Sequence, residues 1–299
     1  MKNVVRYVVS EEHNGMNAGR YLRGICNLSA RTLAVLKRTP GGITANGYLL
    51  RSVDFVKTGD VVEISLPREE NTTVPVKGEL DILFEDAYLL IVNKPHSMPV
   101  HPVKTHQTDT LSNIIAYRAK ESGSDFVFRA VNRLDRDTSG IVMIAKDRHT
   151  ASMMQNTSVE KHYYAVCYGI TDEQNTINAP IALSENSKIV RCVSESGQSA
   201  VTHYKRVCEY GTIASLVDLV LETGRTHQIR CHMSYIGHPL FGDDLYGGKI
   251  DLIPRQALHC YSVSFSHPHT AEEIFVTAPM PEDILSLINK LKNGDESAS

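Results

Sequence analysis

Residues 130–145 read AVNRLDRDTSGIVMIA, a polar run that ends in Thr-Ser-Gly and leads directly into the apolar run 141–145. The apolar run is typical of a strand buried on both faces, and the Thr-Ser-Gly before it is typical of a turn. Asp135 lies between Arg133 and Arg136 at the mouth of this turn. A carboxylate there can serve as a nucleophile or a base, although the commoner role of aspartate in such a turn is capping.

A second carboxylate, Asp137, follows two residues after Asp135. In an extended segment the two side chains would share a face and compete for one small space, and the turn that follows disturbs even that geometry. A glycosidase-type pair of acids is therefore not supported, and Asp135 is the candidate for a single essential carboxylate. The chain also contains no GxSxG elbow, Walker loop or GxGxxG motif, so the corresponding hydrolase and nucleotide-binding classes lack their signatures.

A second polar cluster occupies residues 221–243, LETGRTHQIRCHMSYIGHPLFGD. Gly224 allows a sharp turn, and Thr226 can cap a helix that the spacing of apolar residues predicts at 226–236. Four basic side chains crowd the start of that helix: Arg225, His227, Arg230 and His232.

Arg230 follows Ile229 on the partly buried side of the predicted helix. An unpaired guanidinium is costly in such a place, so we expect a carboxylate partner. Asp135 is the candidate partner, and an arginine beside it would favour its ionised form. A basic patch that faces phosphate and a purely structural salt bridge are the alternatives.

Residues 161–169, KHYYAVCYG, predict a strand. In a strand, Tyr163 would share one face with Ala165 and Cys167, whereas Tyr164 would lie on the opposite face. One tyrosine could present its ring as a stacking platform for a nucleic-acid base. Aromatic packing within a sheet is the commoner role of strand tyrosines.

The remaining pattern divides the chain into two domains. Residues 68–79 are polar and punctuated by proline and glycine, and they predict a linker between an N-terminal domain (1–67) and a second domain (80–292), with a disordered tail at 293–299. Helices of the second domain are predicted at 110–120, 226–236 and 281–292. Strands are predicted at 88–92, 141–145, 161–169, 213–221, 257–265 and 273–277. Strands in runs, mixed with helices, indicate an α+β domain.

Charge is distributed unevenly along the chain. Residues 1–67 hold nine Lys/Arg against five Asp/Glu, a net charge of +4, which leaves −7 for the remaining 232 residues. The segment 17–38 predicts two short helices whose apolar positions are Tyr21, Leu22, Ile25, Leu33, Val35 and Leu36. It contains no acid and five cations: Arg20, Arg23, Arg31, Lys37 and Arg38. Such a run is commonly a solvated helix face, but the lack of any compensating acid favours a patch that faces phosphate.

Whole-chain composition fits an ordinary globular protein, with 42% hydrophobic and 22% charged residues among 299 and a net charge of −3. Taken alone, this charge argues weakly against a nucleic-acid partner. No apolar run approaches the roughly 18 residues of a membrane span. Acidic residues interrupt the N-terminus where the apolar core of a signal peptide would continue, so we expect a cytoplasmic protein with no membrane partner.

Cysteine and histidine spacings give no metal or disulfide signal. The closest cysteines, Cys192 and Cys208, are 16 residues apart, so the chain has no CxxC pair, and we expect buried, reduced thiols. His96, His101 and His106 are each separated by five residues, a spacing that does not match the helical i, i+4 pattern of a zinc site. The sequence therefore predicts no metal.

Taken together, these segments resemble the RluA-type family of pseudouridine synthases over most of residues 80–290. Residues 132–140, NRLDRDTSG, are similar to the family signature HRLDxxTSG, with Asn132 where the family usually has His. Residues 161–165, KHYYA, are similar to its KxYxA strand. Residues 223–232, TGRTHQIRCH, are similar to its TGRTHQIRxH motif.

Residues 17–66 resemble a divergent S4-type RNA-binding domain. The two resemblances imply an α+β catalytic domain with a mixed, largely antiparallel sheet of pseudouridine synthase type, preceded by a small S4-like α/β RNA-binding domain. They imply an isomerase that converts uridine to pseudouridine in structured RNA, with ribosomal RNA favoured over tRNA as the partner. Because neither redox state nor atom count changes, they imply no cofactor and no metal. We expect a monomer.

The family resemblance also implies roles for individual residues. Asp135 would attack as a nucleophile or remove a ribose proton, Tyr163 would stack on the target base and could assist a late proton transfer, and Arg230 would orient Asp135. Arg133 would fill the space that a flipped base leaves. The other implied RNA-binding residues are Arg136, Arg225 and His227, with Arg20, Arg31, Lys37 and Arg38 in the S4-like domain. The alternative hypothesis is a non-catalytic RNA-binding or ribosome-associated module whose synthase site has decayed, and Asn132 is its only support.

Overall fold

The computed structural model describes residues 3–66, 72–123 and 126–296. Part of the predicted linker, residues 68–71, and the end of the predicted tail, residues 297–299, therefore lie outside the described residues. The N-terminal elements are β1 (Asn3–Val8), α1 (Ala18–Gly24), α2 (Ala30–Leu36), β2 (Ile43–Ala45), β3 (Tyr48–Leu49) and β4 (Val61–Leu66). The four strands form an antiparallel sheet in the order β1-β4-β2-β3.

The two N-terminal helices form where the sequence supplies a cap and an apolar face. The side chain of Asn17 accepts the N–H of Arg20 at the start of α1, and Ser29 accepts the N–H of Thr32 at the start of α2. Their buried side chains pack into a core of their own beneath the sheet: Tyr21, Leu22, Leu33 and Leu36. Ile25, which was predicted among these apolar positions, is exposed because α1 ends before it.

The second part of the chain contains a large mixed sheet and four helices. Its strands are β5 (Asp81–Glu85), β6 (Leu89–Lys94), β7 (Arg129–Ala130), β8 (Ser139–Ala145), β9 (Val159–Tyr168), β10 (Gln174–Asn178), β11 (Ile181–Leu183), β12 (Arg191–Val193), β13 (Val201–Tyr210), β14 (Ala214–Leu221), β15 (Leu258–Ser266) and β16 (Glu273–Thr277). Its helices are α3 (Leu111–Glu121), α4 (Arg148–Asn156), α5 (Gln228–Tyr235) and α6 (Glu282–Glu296).

The main sheet runs in the order β10-β13-β14-β9-β15-β8-β6-β5, with β16 beside β15 and β7 beside β8. Strands β8 and β15 are parallel, and the other neighbours are antiparallel. Strands β11 and β12 form a separate antiparallel hairpin. This mixed, largely antiparallel sheet confirms the predicted α+β class.

Strand β9 separates two cores, and Tyr163 and Tyr164 lie on its opposite faces, as the alternation predicted. Tyr163, Ala165 and Cys167 belong to the main core, which also contains the apolar residues of β6 and β8. On the opposite face, Tyr164 and Val166 pack with the apolar stripe of α6. Both faces of the sheet are therefore covered, and this explains why β6 and β8 read as continuous apolar runs.

Gly140 fixes the point at which the polar run 131–138 enters β8. Its φ is +114°, and a Cβ at this position would overlap the backbone of Cys260 in the parallel neighbour β15. Only glycine fits such a close approach. The polar run is thereby held at the edge where β8 and β15 begin to pair.

Several sequence expectations differ from the structure. Helix α5 begins at Gln228, and its N-cap is His227 in the left-handed conformation, so the predicted cap, Thr226, is wrong. The side chain of Gln228 closes this turn by accepting the N–H of Arg225. Ile213, the first residue of the predicted strand 213–221, is exposed because it belongs to the turn that precedes β14.

Two further expectations also need correction. Cys208 is exposed and Cys192 half-buried, so the thiols are not all buried; Cys208 lies at an irregularity in the pairing of β13. Helix α6 continues to Glu296, past its predicted end at Lys292. Within the described ranges, no helix combines the length and apolar character needed to cross a membrane.

Candidate active site

The Asp135 loop, residues 131–138, connects β7 to β8 and is fixed at its base by Asn132. The amide nitrogen of Asn132 donates to the carbonyl oxygen of Ile141 (3.0 Å), and its amide oxygen accepts the N–H of Met143 (2.8 Å). Asn132 therefore pairs with the β8 backbone much as a strand residue would. The residue that departs from the family signature supports the base of the loop.

Lys94, at the end of β6, holds the loop from below. Its fully buried ammonium donates to three carbonyl oxygens, those of Pro95 (2.8 Å), Met98 (2.9 Å) and Arg136 (3.1 Å). Burial lowers the pKa of Lys94 to about 7, although the negative charge of Asp137 opposes this change. No sequence motif indicated Lys94; the available signal was a lysine two residues after the apolar run 88–92.

Arg255 holds the loop from its other side. Its guanidinium is buried and donates to the carbonyl oxygen of Asp137 (3.1 Å), and it forms two hydrogen bonds with the carboxylate of Asp283 (2.6 and 2.8 Å). Asp283 lies in the first turn of α6, so Arg255 connects the Asp135 loop to the closing helix. This contact spans more than a hundred residues of sequence, and no local pattern indicated it.

Asp135 and Arg230 meet, as the sequence analysis expected. Arg230 Nη1 lies 3.1 Å from Asp135 Oδ2. The Asp135 side chain is 28% exposed, whereas that of Arg230 is 8% exposed. The carboxylate is thus accessible from solvent on one side and held by a buried cation on the other.

Arg230 is itself held by a second carboxylate, Asp243, whose side chain is fully buried. Both oxygens of Asp243 accept from the guanidinium at 2.7 Å. Burial alone would lower the pKa of Arg230, but the hydrogen bonds and the negative charge of Asp243 outweigh it and raise that pKa. Arg230 therefore stays charged and fixed in orientation, because a two-point pair with a carboxylate defines the plane of the guanidinium.

His227 and Tyr246 complete the surroundings of Asp135. His227 Nε2 lies 3.8 Å from Asp135 Oδ2, and its Nδ1 lies 3.0 Å from the hydroxyl of Tyr246. The guanidinium carbon of Arg230 lies 5.0 Å from the centre of the Tyr246 ring, a cation–π contact. Burial lowers the pKa of His227, although the charge of Asp135 opposes this change, so the imidazole is mainly neutral at pH 7. Sequence reasoning did not identify Tyr246.

Tyr163 lies deeper than a surface stacking platform would. The residue is 6% exposed and belongs to the main core, where it faces Cys260 of β15. Burial raises the pKa of its hydroxyl, and the nearby Cys260 and Asp135 add to this effect. Tyr163 is therefore an apolar wall within electrostatic reach of Asp135.

The other predicted RNA-binding residues have different settings. Arg133 is exposed on the Asp135 loop. Arg136 is also exposed, but its guanidinium is paired with the carboxylate of Asp137 at 2.8 Å. Arg225 is exposed, and its Nε donates to the carbonyl oxygen of Ser199 at 3.0 Å. The N-terminal cations, by which we mean Arg20, Arg31, Lys37 and Arg38, are exposed on α1 and α2 and just after α2, outside this site.

This arrangement provides one accessible carboxylate whose orientation is fixed by a buried, permanently charged guanidinium. Such a carboxylate can act as a nucleophile or a base towards a substrate that enters from solvent. Within the described part of the chain, no group of three or more His, Cys, Asp or Glu side chains is arranged to hold a metal ion.

Comparison with known proteins agrees with the family resemblance. A family model described as RNA pseudouridylate synthase matches residues 88–235. The chain is 44% identical over 240 residues to the uncharacterized RNA pseudouridine synthase YhcT of Bacillus subtilis, covering 78% of this chain and 80% of that protein. It is 40% identical over 272 residues to YjbO of the same organism, also an uncharacterized RNA pseudouridine synthase, covering 89% and 96%.

A relative with a more specific name is the ribosomal large subunit pseudouridine synthase D of Pseudomonas aeruginosa, which is 35% identical over 276 residues and covered to 86% in both chains. Among solved structures, human RNA pseudouridylate synthase domain containing 4 superposes with a TM-score of 0.59 at 22% identity, covering 71% of this chain and 93% of that one. Human RNA pseudouridylate synthase domain containing 1 gives a TM-score of 0.55 at 24% identity, covering 72% and 95%. These structures confirm the predicted fold, whereas the S4-type assignment of residues 1–67 stays a prediction.

Proposed function

The chain belongs to the RluA-type family of RNA pseudouridine synthases, and we propose that it isomerises uridine in structured RNA, ribosomal RNA in preference to tRNA, with Asp135 as the essential residue. The observation that carries this proposal is the arrangement of Arg230 between two carboxylates. Its pair with Asp243 fixes the guanidinium, and its Nη1 donates to Asp135. A carboxylate that is oriented in this way and still accessible is suited to act on a nucleotide.

The reaction breaks the N1–C1′ glycosidic bond of uridine and forms a C5–C1′ bond in its place. Between these events the uracil rotates within the site, and the proton on C5 is lost as N1 gains one. The product is therefore an isomer of the substrate. No electron is transferred to or from a second reactant, and no group is added.

Asp135 begins this sequence in one of two ways. It attacks C1′ as a nucleophile, or it removes a proton from the ribose as a base. Both roles need the ionised carboxylate, and its charged partner is Arg230, whose Nη1 lies 3.1 Å from Asp135 Oδ2. Both also need a target uridine outside its helix, because the ribose and base of a uridine paired within a stem cannot reach the Asp135 carboxylate without being flipped out.

The neighbouring residues bind and hold the extruded nucleotide. Tyr163 forms the wall against which the uracil stacks, and its hydroxyl assists the late proton transfer. Arg133, exposed on the Asp135 loop, fills the space that the base leaves in the RNA. Arg225 and Arg136 are exposed, and they are the further residues that we propose contact the RNA backbone, Arg136 by exchanging its pair with Asp137 for a phosphate.

Residues 1–67 act in this proposal as an S4-like RNA-binding domain. Its support is the exposure of the N-terminal cations, for which no ion pair is found among the described residues. The name of the Pseudomonas aeruginosa relative supports ribosomal RNA as the substrate class. We also propose that the protein acts in the cytoplasm and as a monomer.

The alternative function, a non-catalytic RNA-binding module, depends on Asn132 alone. The contacts of Asn132 do not favour it, because its amide pairs with the β8 backbone while Asp135 and Arg230 keep their contact. The two hypotheses differ in whether the carboxylate of Asp135 is needed for modification.

Replacement of Asp135 in the producing cell tests the proposal. Asp135→Asn is introduced on the chromosome, and pseudouridines are mapped across total RNA from mutant and parent. We expect one or a few sites to disappear, and those sites identify the substrate. Asp172→Asn, a change of an exposed aspartate outside the site, is the matched control and should leave every site in place. If Asp135→Asn removes no site, the proposed enzymatic function is wrong.

A further inference from the structure

Arg191, in β12, carries a polar atom that the fold leaves without a partner. Its Nε is buried and has no hydrogen-bond partner among the residues that the structure describes. A buried N–H of a charged group without an acceptor costs stability, and native structures contain few of them. Arg191 is therefore held in a position that the folded protein alone does not explain.

Arg191 lies close to the residues that surround Asp135. Strand β12 packs against α5, the helix that carries Arg230. The backbone N–H of Arg191 donates to the hydroxyl of Tyr246 (2.8 Å), and the same hydroxyl bonds His227. The charge of Arg191 also reaches His227, where it adds to the effect of burial in lowering the pKa of the imidazole. Arg191 thus lies near the site, with Tyr246 and His227 between its backbone N–H and the carboxylate of Asp135.

The other cations of the site, Arg230 and Arg136, are already paired with carboxylates, which leaves Arg191 available to a phosphate. A nucleotide that reaches Asp135 brings phosphates close to two carboxylates, Asp135 and Asp243, whose shared cation, Arg230, is already bound to both. Arg136 is likewise paired, with Asp137. A guanidinium with a free N–H fits a phosphate oxygen in charge and in geometry.

We propose that Arg191 binds a phosphodiester group of the substrate RNA next to the uridine that reaches Asp135. This inference rests on the proposed function and adds to it a binding residue that none of the sequence motifs contains. In the free protein Nε has no acceptor among the described residues, and Arg191 as a residue is only partly buried, so a phosphate of the RNA can approach its guanidinium. Arg191 acts in substrate binding and leaves the chemical step unchanged.

The test separates binding from stability with Arg191→Met. Removing an unpartnered buried N–H should leave the melting temperature unchanged or raise it, whereas affinity for RNA should fall by about 10-fold. The slope of log Kd against log salt concentration should decrease in magnitude by about one, as for the loss of one phosphate contact. Arg191→Lys keeps the charge without the fork and should lie between Met and the parent.

The probe is deproteinised ribosomal RNA extracted from cells that carry only the Asp135→Asn chain, and filter binding is the readout. Because binding needs no turnover, Arg191 is tested even if pseudouridine mapping finds no lost site. Lys188→Met, which removes an exposed cation from the same hairpin region, is the matched control and should change affinity by less than about 2-fold. A lowered melting temperature with unchanged affinity, or equal losses for Arg191→Met and Lys188→Met, would overturn the proposal.

Discussion

Arg230 and the N-terminal cations carry the same charge in opposite settings. The Arg230 side chain is 8% exposed and is bound by Asp135 and Asp243. The N-terminal cations are exposed, and no ion pair involves them among the described residues. The difference separates two uses of positive charge: a buried, paired cation positions chemistry, whereas exposed and unpaired cations attract a polyanion. It also explains why the whole-chain charge of −3 says little about RNA binding, since what matters is where each charge lies.

Breaking the buried pair of Arg230 and Asp243 should have the largest effect on stability and activity. Asp243→Asn leaves Arg230 buried with one acceptor lost, so we expect the free energy of unfolding to fall by about 4 kcal/mol, as measured by chemical denaturation. Activity should fall by about 100-fold, because Arg230 no longer holds Asp135 in one orientation. Asp244→Asn, which alters the exposed acid next in the chain, is the control and should change neither quantity. Equal effects of the two substitutions would show that the buried pair contributes no more to stability or activity than an exposed acid does.

Lys94→Met removes a buried cation that holds the Asp135 loop by three carbonyl oxygens. We expect a loss of about 3 kcal/mol in the free energy of unfolding and a fall of about 10-fold in kcat. The exposed Lys104→Met is the matched control and should be neutral.

The pH dependence of this loss has a definite sign. The native pKa of Lys94 is about 7, below its ordinary value of 10.5, so the unfolded chain binds more protons between these two values. Stability from this group therefore rises with pH across that window and is lowest at and below pH 7. The stability gap between parent and Lys94→Met should be about 2 kcal/mol larger at pH 9 than at pH 7. A gap that does not change with pH would contradict the lowered pKa.

Tyr246→Phe tests whether the hydroxyl that bonds His227 and the Arg191 backbone helps to position the site. The ring that packs on Arg230 is kept, so we expect a small loss of stability, about 1 kcal/mol, and a decrease of about 5-fold in kcat with KM unchanged. Tyr246→Leu also removes the cation–π contact and should lower kcat further. Tyr235→Phe, on an exposed tyrosine of α5, is the control. A change in KM alone would assign Tyr246 to binding.

Neutralising the exposed N-terminal cations should have the smallest effect on the stability of the fold. With Arg20, Arg31, Lys37 and Arg38 all changed to Gln, the free energy of unfolding should stay within about 0.5 kcal/mol of the parent. KM for RNA should rise by about 10-fold with kcat unchanged, and the salt dependence of binding should weaken by about three in slope. A matched set on the second domain (Lys120, Lys205, Lys290 and Lys292 to Gln) should leave KM unchanged. If both sets raise KM equally, the N-terminal cations are not a specific RNA-binding surface.

The sequence alone predicted those parts of the site whose signal is local. The pairing of Asp135 with Arg230 followed from a guanidinium placed beside a buried apolar residue, which needs a carboxylate. The alternation of residues 161–169 correctly predicted that Tyr163 and Tyr164 lie on opposite faces of the strand. The α+β class followed from the order of strands and helices.

What the sequence did not reveal depends on contacts between distant segments. Lys94 donates to the carbonyl oxygen of Arg136, and Arg255 donates to that of Asp137. Because both acceptors are backbone atoms, the type of side chain at these two positions gives no sign of the contact. The predicted start of α5 was wrong for a related reason. His227 adopts a left-handed conformation that leaves its ring against Tyr246, a tertiary contact that a capping rule cannot anticipate.

The most direct measurement of the central claim is release of tritium from RNA labelled with [5-³H]uridine, under single-turnover conditions. The RNA is a transcript of the segment in which mapping locates the modified uridine. The account predicts that the parent protein and Asp172→Asn release one equivalent per site, and that folded Asp135→Asn, with an unchanged melting temperature, releases none. Release by Asp135→Asn at the parent rate would contradict the claim that Asp135, positioned by Arg230, begins the reaction.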